Sequence, residues 1–203
     1  MASYALPCPT VSRHRAYQLC LAQCREEDPE VEIRLFEVPL GLQIKGLHED
    51  LYDVGFSMAE DGGDGILVTP AWEDELMVAV PARHPVLAFK QVPLKEVLRY
   101  PLALGDPAVC EGHARQIDRF LRKLDQEPLI AQRVATFDVM MTLVSAGLAL
   151  GLAGEAHIAS SREPGVVARR LAGKPYYAYD LSATPRCGAV RDAGSVHRAC
   201  GLH

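Results

Sequence analysis

The stretch VATFDVMMTLVSAGLALGLAG, residues Val134 to Gly154, carries two periodicities in succession. Val139, Met140, Leu143 and Val144 recur at helical spacing, and Leu148 to Ala153 then form an apolar run of strand length. The change of period marks a helix feeding a buried strand. Thr136 has the hydroxyl to cap that helix, and Asp138 falls in its first turn, where the dipole favours a carboxylate. Gly147 supplies the left-handed residue that ends it. A helix that starts this way leaves N–H groups beside Thr136 and Phe137 outside its own ladder. In an α/β fold such an end faces a crevice and holds an anion or small polar molecule, although the same residues also suit a plain helix-strand unit with no ligand.

The rest of the chain fits an α/β reading. It has 203 residues, enough for one domain or two small lobes, and 49% hydrophobic with 23% charged residues marks it as globular. No apolar run is long enough to span a membrane, and MASYALPCPTVSRHR lacks the pattern of a secretory leader, so cytoplasmic residence is expected. A formal charge of −5 without a dense Lys/Arg block disfavours nucleic-acid binding. Cys8, Cys20, Cys24, Cys110, Cys187 and Cys200 include no C-x-x-C pair, so no metal site or redox motif is expected. Cys20 and Cys24 share one helical face, where core packing is the simpler reading than a disulfide.

Taken in order, Ser3 to Pro7 is strand-like, and a helix capped by Thr10 or Ser12 follows, with Ala16, Tyr17, Cys20 and Cys24 on its inner face and Asp28-Pro29 at its end. Val31, Ile33 and Leu35 alternate with Glu32, Arg34 and Phe36, which predicts a second strand, parallel to the first and more buried on one face. A short helix over Gly41 to Asp50, a strand at LYDVGFS and a glycine loop at Gly62 to Gly65 come next. Glu75 to Val80 reads as a strand stopped by Pro81, Leu94 to Arg99 as a short helix and Pro101 to Leu104 as a strand. Glu111 to Leu124 is an amphipathic helix, with Arg115, Arg119, Arg122 and Lys123 on its solvated side. Leu129 to Val134 is strand-like and leads into the opening stretch. Beyond Gly154, Gly165 to Arg170 and Tyr176 to Leu181 are candidate strands, and the segment from Thr184 is expected to pack loosely.

Four segments, in register, resemble the effector-binding domain of LysR-type transcriptional regulators, which is similar to the type 2 periplasmic binding proteins. They are CREEDPEVEIRLFE, HEDLYDVGF, ELMVAVPARHPVLA and DVMMTLVSAGLALGL, within a resemblance running from Ser3 to Leu171. It implies two Rossmann-like α/β lobes joined by two crossover strands, lobe one being residues 1–79 plus 158–203 and lobe two 80–157. Regulators of the family begin with a winged helix-turn-helix and a linker helix, and neither pattern is found in this sequence. The family's proline near Gly154 and its closing strand and helix after Asp180 also have no clear counterpart.

What the resemblance implies for function is a regulatory domain that senses a small molecule, such as a carboxylate, in an interlobe cleft, as a homodimer and without a cofactor. By position its effector contacts fall on Cys8, Pro9, Thr10 and Ser12, on Val38 and Pro39, on Gly105 and Asp106, and on Thr136 and Phe137. Thr10 and Ser12 serve equally well as helix caps alone. His84, before Pro85, matches a family histidine whose reading is structural. Two other classes compete: a protein-interaction module that pairs with full-length regulators, and an enzyme using Cys8 as nucleophile with His14, His113, Asp106 or Asp138 nearby. Without a nucleophile elbow, metal spacing or phosphate loop, the sequence favours no enzyme.

Overall fold

The computed structural model describes residues 2–6, 15–60, 62–122, 127–161 and 163–185. The chain forms two compact units, the first made of Met1–Glu73 with Tyr179–His203 and the second of Asp74–Ala178.

Unit one contains β1 (Ala2–Leu6), α1 (Arg15–Glu27), β2 (Ile33–Glu37), α2 (Leu40–His48) and β3 (Val54–Ser57). It also takes the first half of β4 (Ile66–Pro81) and most of β10 (Tyr177–Pro185), so the chain leaves the unit within one strand and returns within the other. β1 pairs parallel with β2 and β3, as a βαβ connection requires, and β10 runs antiparallel to β3. Tyr17, Cys20 and Cys24 of α1 pack on Val54 and Phe56, and Trp72 stacks on Phe56 with ring centroids 5.4 Å apart. Gln43 of α2 is buried and donates from Nε2 to the Phe56 carbonyl at 3.1 Å. Gly55 permits this approach, since a Cβ there would lie 2.8 Å from Gln43 Cδ.

Two expectations are corrected here. The alternation at β2 holds only at its start: Val31 and Ile33 pack against the core of unit one, whereas Leu35 is exposed like Arg34, Phe36 and Glu37, on an outer strand of its sheet. Cys20 is buried as expected but is disulfide-bonded, whereas Cys24 and Cys110 are not in disulfides. Spacing could not show this, because disulfide partners are set by the fold and not by distance along the chain.

Unit two continues from β4 through a 3-10 turn at Pro85–Ala88, β5 (Gln91–Val92), α3 (Leu94–Val97), β6 (Leu102–Gly105) and α4 (Glu111–Leu121). β7 (Ile130–Val134), α5 (Phe137–Ser145), β8 (Leu150–Gly154), α6 (Glu155–Ser161) and β9 (Val166–Leu171) complete it. The strand order is β4-β8-β6-β7, with β9 on β4 and β5 on β9. β6 runs parallel to both β7 and β8. Side chains of β4 point alternately to two cores: Leu76, Val78 and Val80 join Ile117 and Leu121 of α4, while Met77 and Ala79 join Met140, Met141 and Val144 of α5. Every residue of β6 and β8 is buried, which is the signature of strands covered on both faces.

Several boundaries differ from the sequence reading. β4 begins at Ile66, well before Glu75, because its first half alternates too weakly to register as a strand. The helix α6 was not anticipated. Residues 158–178, assigned by resemblance to lobe one, lie in unit two, since Val166 to Arg170 of β9 pair with Pro81 to Met77 of β4. β10 extends to Pro185, into the segment expected to pack loosely, and the remainder of that segment lies outside the described residues. His84 is structural in this fold: its Nδ1 accepts from the Val86 N–H at 3.2 Å and its ring meets Tyr100 edge-on.

Gly147 ends α5 with φ of 75°, and no atom lies within 4 Å of the place a Cβ would occupy. Gly147→Ala therefore tests backbone strain alone and should cost about 1 kcal/mol. Gly41, in α2 with equally open space and no left-handed φ, is the control. Denaturant unfolding should show Gly41→Ala as neutral or slightly stabilising.

Candidate functional site

β6 and β7 are parallel, and Gly105 is in register with Val134 at their carboxyl ends. The loops that follow are tied together. Asp106 N–H donates to the Val134 carbonyl at 2.8 Å, and Cys110 Sγ donates to the Ala135 carbonyl at 3.2 Å. Arg133 Nη1 donates to the Gly105 carbonyl at 3.1 Å, which fixes the end of β6 from the neighbouring strand. Asp106 Oδ1 accepts from the Ala108 N–H at 2.8 Å, turning the chain towards α4.

Thr136 sits next to this loop in extended conformation and caps α5, its Oγ1 accepting from the Val139 N–H at 3.3 Å. The Thr136 carbonyl takes the Met140 N–H. The N–H groups of Phe137 and Asp138 remain outside the helical ladder, at the positive end of the helix dipole. Thr136 and Phe137 are both half-buried. The Phe137 ring touches two histidines: His113 meets it edge-on and His157 stacks on it, each with centroids 4.8 Å away. This end of unit two thus presents backbone donors, a threonine and an aromatic ring together.

Among the predicted site residues, the structure brings Gly105, Asp106, Thr136 and Phe137 together in unit two. Val38 and Pro39 follow β2 in unit one, with Pro39 at the start of α2 and without a side-chain cap bond. Cys8, Pro9, Thr10 and Ser12 lie outside the described residues, as does His14. His113, entertained as a catalytic partner, is a buried ring against Gly105: a Cβ at that glycine would be 2.9 Å from His113 Nδ1. Burial, above all, and electrostatic repulsion from His157 and Arg133 push His113 down to about 3, against an opposing influence from the Leu152 backbone. Asp74 and His157, which buttress Phe137, were not legible, because their residues come from distant parts of the sequence. No group of three or more candidate metal ligands occurs among the described residues, and no described helix is long and apolar enough to cross a membrane.

The fold is that of the effector-binding domains of LysR regulators, of type 2 periplasmic-binding-protein-like architecture. The effector-binding domain of BenM with its effector benzoate is similar at a TM-score of 0.88 and 18% identity, covering 100% of this chain and 94% of that one. CbnR, a LysR family regulator, matches at a TM-score of 0.85 and 20% identity over 98% of this chain and 68% of its own. A Corynebacterium glutamicum OxyR C206 mutant matches at 0.81 and 20% identity, over 98% and 63%. A family model described as the LysR substrate binding domain matches residues 8–192, and the chain belongs to that family. In sequence it is 28% identical over 142 residues to YnfL, an uncharacterized HTH-type transcriptional regulator of Escherichia coli strain K12. That match covers 68% of this chain and 46% of YnfL, so the chain spans about half the length of this relative.

The buried neutral His113 gives a pH dependence with a definite sign. Its folded value of about 3 lies below the ordinary histidine value of 6.5, so the unfolded chain binds the proton first. The stability that burial of the neutral ring requires is complete above about pH 6.5 and is lost as pH falls towards 3, at a slope of up to about 1.4 kcal/mol per pH unit. His113→Phe, which keeps an aromatic edge against Phe137, should flatten that slope in urea unfolding between pH 6.5 and 4.5; equal slopes in parent and variant would contradict the assignment.

Proposed function

We propose that this chain is the small-molecule-sensing part of a LysR-type transcriptional regulator and that its effector engages unit two at the start of α5. The observation that carries this reading is the α5 N-terminus: two N–H groups outside the helical ladder, the capped Thr136 and the half-buried Phe137 ring, beside the Gly105–Asp106 loop. N–H donors at the positive helix end suit a carboxylate or other acceptor, and the ring suits an apolar body attached to it. BenM, of the same fold, has benzoate as its effector, and such an acid combines these two features. The family resemblance adds Cys8, Pro9, Thr10, Ser12, Val38 and Pro39 as further proposed effector contacts.

The reading includes no catalysis, in keeping with a family of transcriptional-regulator effector domains. It also includes homodimer formation, cytoplasmic residence and no direct contact with DNA by this chain, whose formal charge of −5 opposes phosphate binding.

Native mass spectrometry of freshly purified protein, followed by thermal shift with benzoate and other small carboxylates, tests the sensing role. A bound small molecule or a dose-dependent stabilisation is expected; a persistently empty protein that no carboxylate stabilises would count against it. For the bound compound, Thr136→Val should weaken affinity roughly tenfold or more, the loss of about 1.5 to 3 kcal/mol for a hydrogen bond to a charged group. Loss of the cap should cost about 1 kcal/mol of stability, read separately by unfolding. Thr142 Oγ1 donates to the Asp138 carbonyl within the same helix, so Thr142→Val is the control and should leave affinity unchanged.

A further inference from the structure

Behind Phe137 lies a buried polar arrangement that the sensing role alone does not require. His157 of α6 is 5% exposed, and its ring stacks on Phe137 at an interplanar angle of 19°. Its Nδ1 is 3.5 Å from Asp74 Oδ2. Asp74 is 7% exposed and sits on β4 where the chain enters unit two. Both of its carboxylate oxygens accept from the Ala156 N–H, at 3.1 and 3.2 Å, one residue before His157. The carboxylate thus holds the backbone that carries the histidine and faces the histidine's ring as well.

Space for this arrangement is made by glycine. A Cβ at Gly154 would fall 2.0 Å from Asp74 Oδ2, so any larger residue there would displace the carboxylate. His113 also meets the Phe137 ring, at an interplanar angle of 74°, with its Nδ1 in the space that a Gly105 side chain would need. A phenylalanine needs neither a carboxylate nor two histidines to be buried, and a hydrocarbon wall would do it without desolvating polar groups. A flat stacking contact together with an edge-on contact restricts the tilt of the ring, which an aliphatic wall would leave free.

We propose that Asp74 and His157 are positioning residues that fix the Phe137 ring so that it presents one orientation to the effector. This rests on the reading of the α5 N-terminus as the effector site, and it assigns specificity to residues that do not themselves touch the ligand. The ring sets the plane in which an apolar body packs while the adjacent helix N-terminus takes the acceptor group. Asp74 acts through Ala156 and His157, and His157 acts through its ring.

The test uses the full chain with 4-fluorophenylalanine at position 137 and benzoate as the probe. Fluorine NMR should give one line, displaced from its position in urea-unfolded protein. In His157→Ala that line should move towards the unfolded position, and benzoate affinity should fall by up to about tenfold, the range of one aromatic pair. His157→Phe, which restores a stacking ring without the polar atoms, should return the line and bring affinity to within about threefold of the parent. Asp74→Asn, which keeps an acceptor for Ala156, should move the line in the same direction by a smaller amount. A folded His157→Ala protein with an unmoved line would overturn the proposal, and so would a His157→Phe line displaced as far as that of the alanine variant. If circular dichroism shows His157→Ala unfolded, Asp74→Asn decides, and an unmoved line there overturns it. Failure of the parent to bind benzoate bears on the effector reading; the fluorine shifts still decide whether the ring is positioned.

Discussion

The position of α5 depends on β8 being buried on both faces. β8 pairs antiparallel with β4 and parallel with β6, and it follows directly on the helix that packs over it. With no solvent face, β8 cannot slip in register without driving Leu150 and Leu152 from one core into the other. The left-handed Gly147 then fixes the angle at which the helix meets the strand. Everything at the N-terminus of α5 inherits this constraint: the cap at Thr136, the first-turn N–H groups and the Phe137 ring are placed by a strand at the other end of the helix. The loop after β6 is fixed by the same sheet through Arg133 and Val134.

What was legible in the sequence follows from what leaves a local trace. The helix-to-strand change at Ser145 to Leu150, the cap at Thr136 and the C-terminal Gly147 are encoded by neighbours, and each occurs where the residues predict it. β6 and β8 read as apolar runs because they are covered on both sides. β2 misled because alternation reports a preference for a half-buried strand, whereas its place at the edge of the sheet is decided by strand order, which no short window contains. The first half of β4 lacked both run and alternation, and it is held as strand by its partners.

The site was legible to the same degree. Thr136 and Phe137 declare themselves as a helix start, and Gly105 with Asp106 as a loop after a strand. Asp74, His113 and His157 leave no pattern, since their relation exists only once β4, α4 and α6 are folded around Phe137. The disulfide at Cys20 escaped for the same reason. A glycine can hint at such arrangements: Gly105 and Gly154 each close a buried strand, and each makes room for a polar side chain.

Membership of the LysR substrate-binding family gives the class of domain, and the start of α5 in unit two is the place proposed for its effector. The most direct measurement is a crystal structure of the chain with the small molecule that native mass spectrometry identifies in the purified protein. The account predicts density at the start of α5, with an acceptor atom within hydrogen-bonding distance of the Phe137 or Asp138 N–H and an apolar part against the Phe137 ring. Density for the same molecule elsewhere, with the α5 N-terminus left to water, would contradict it.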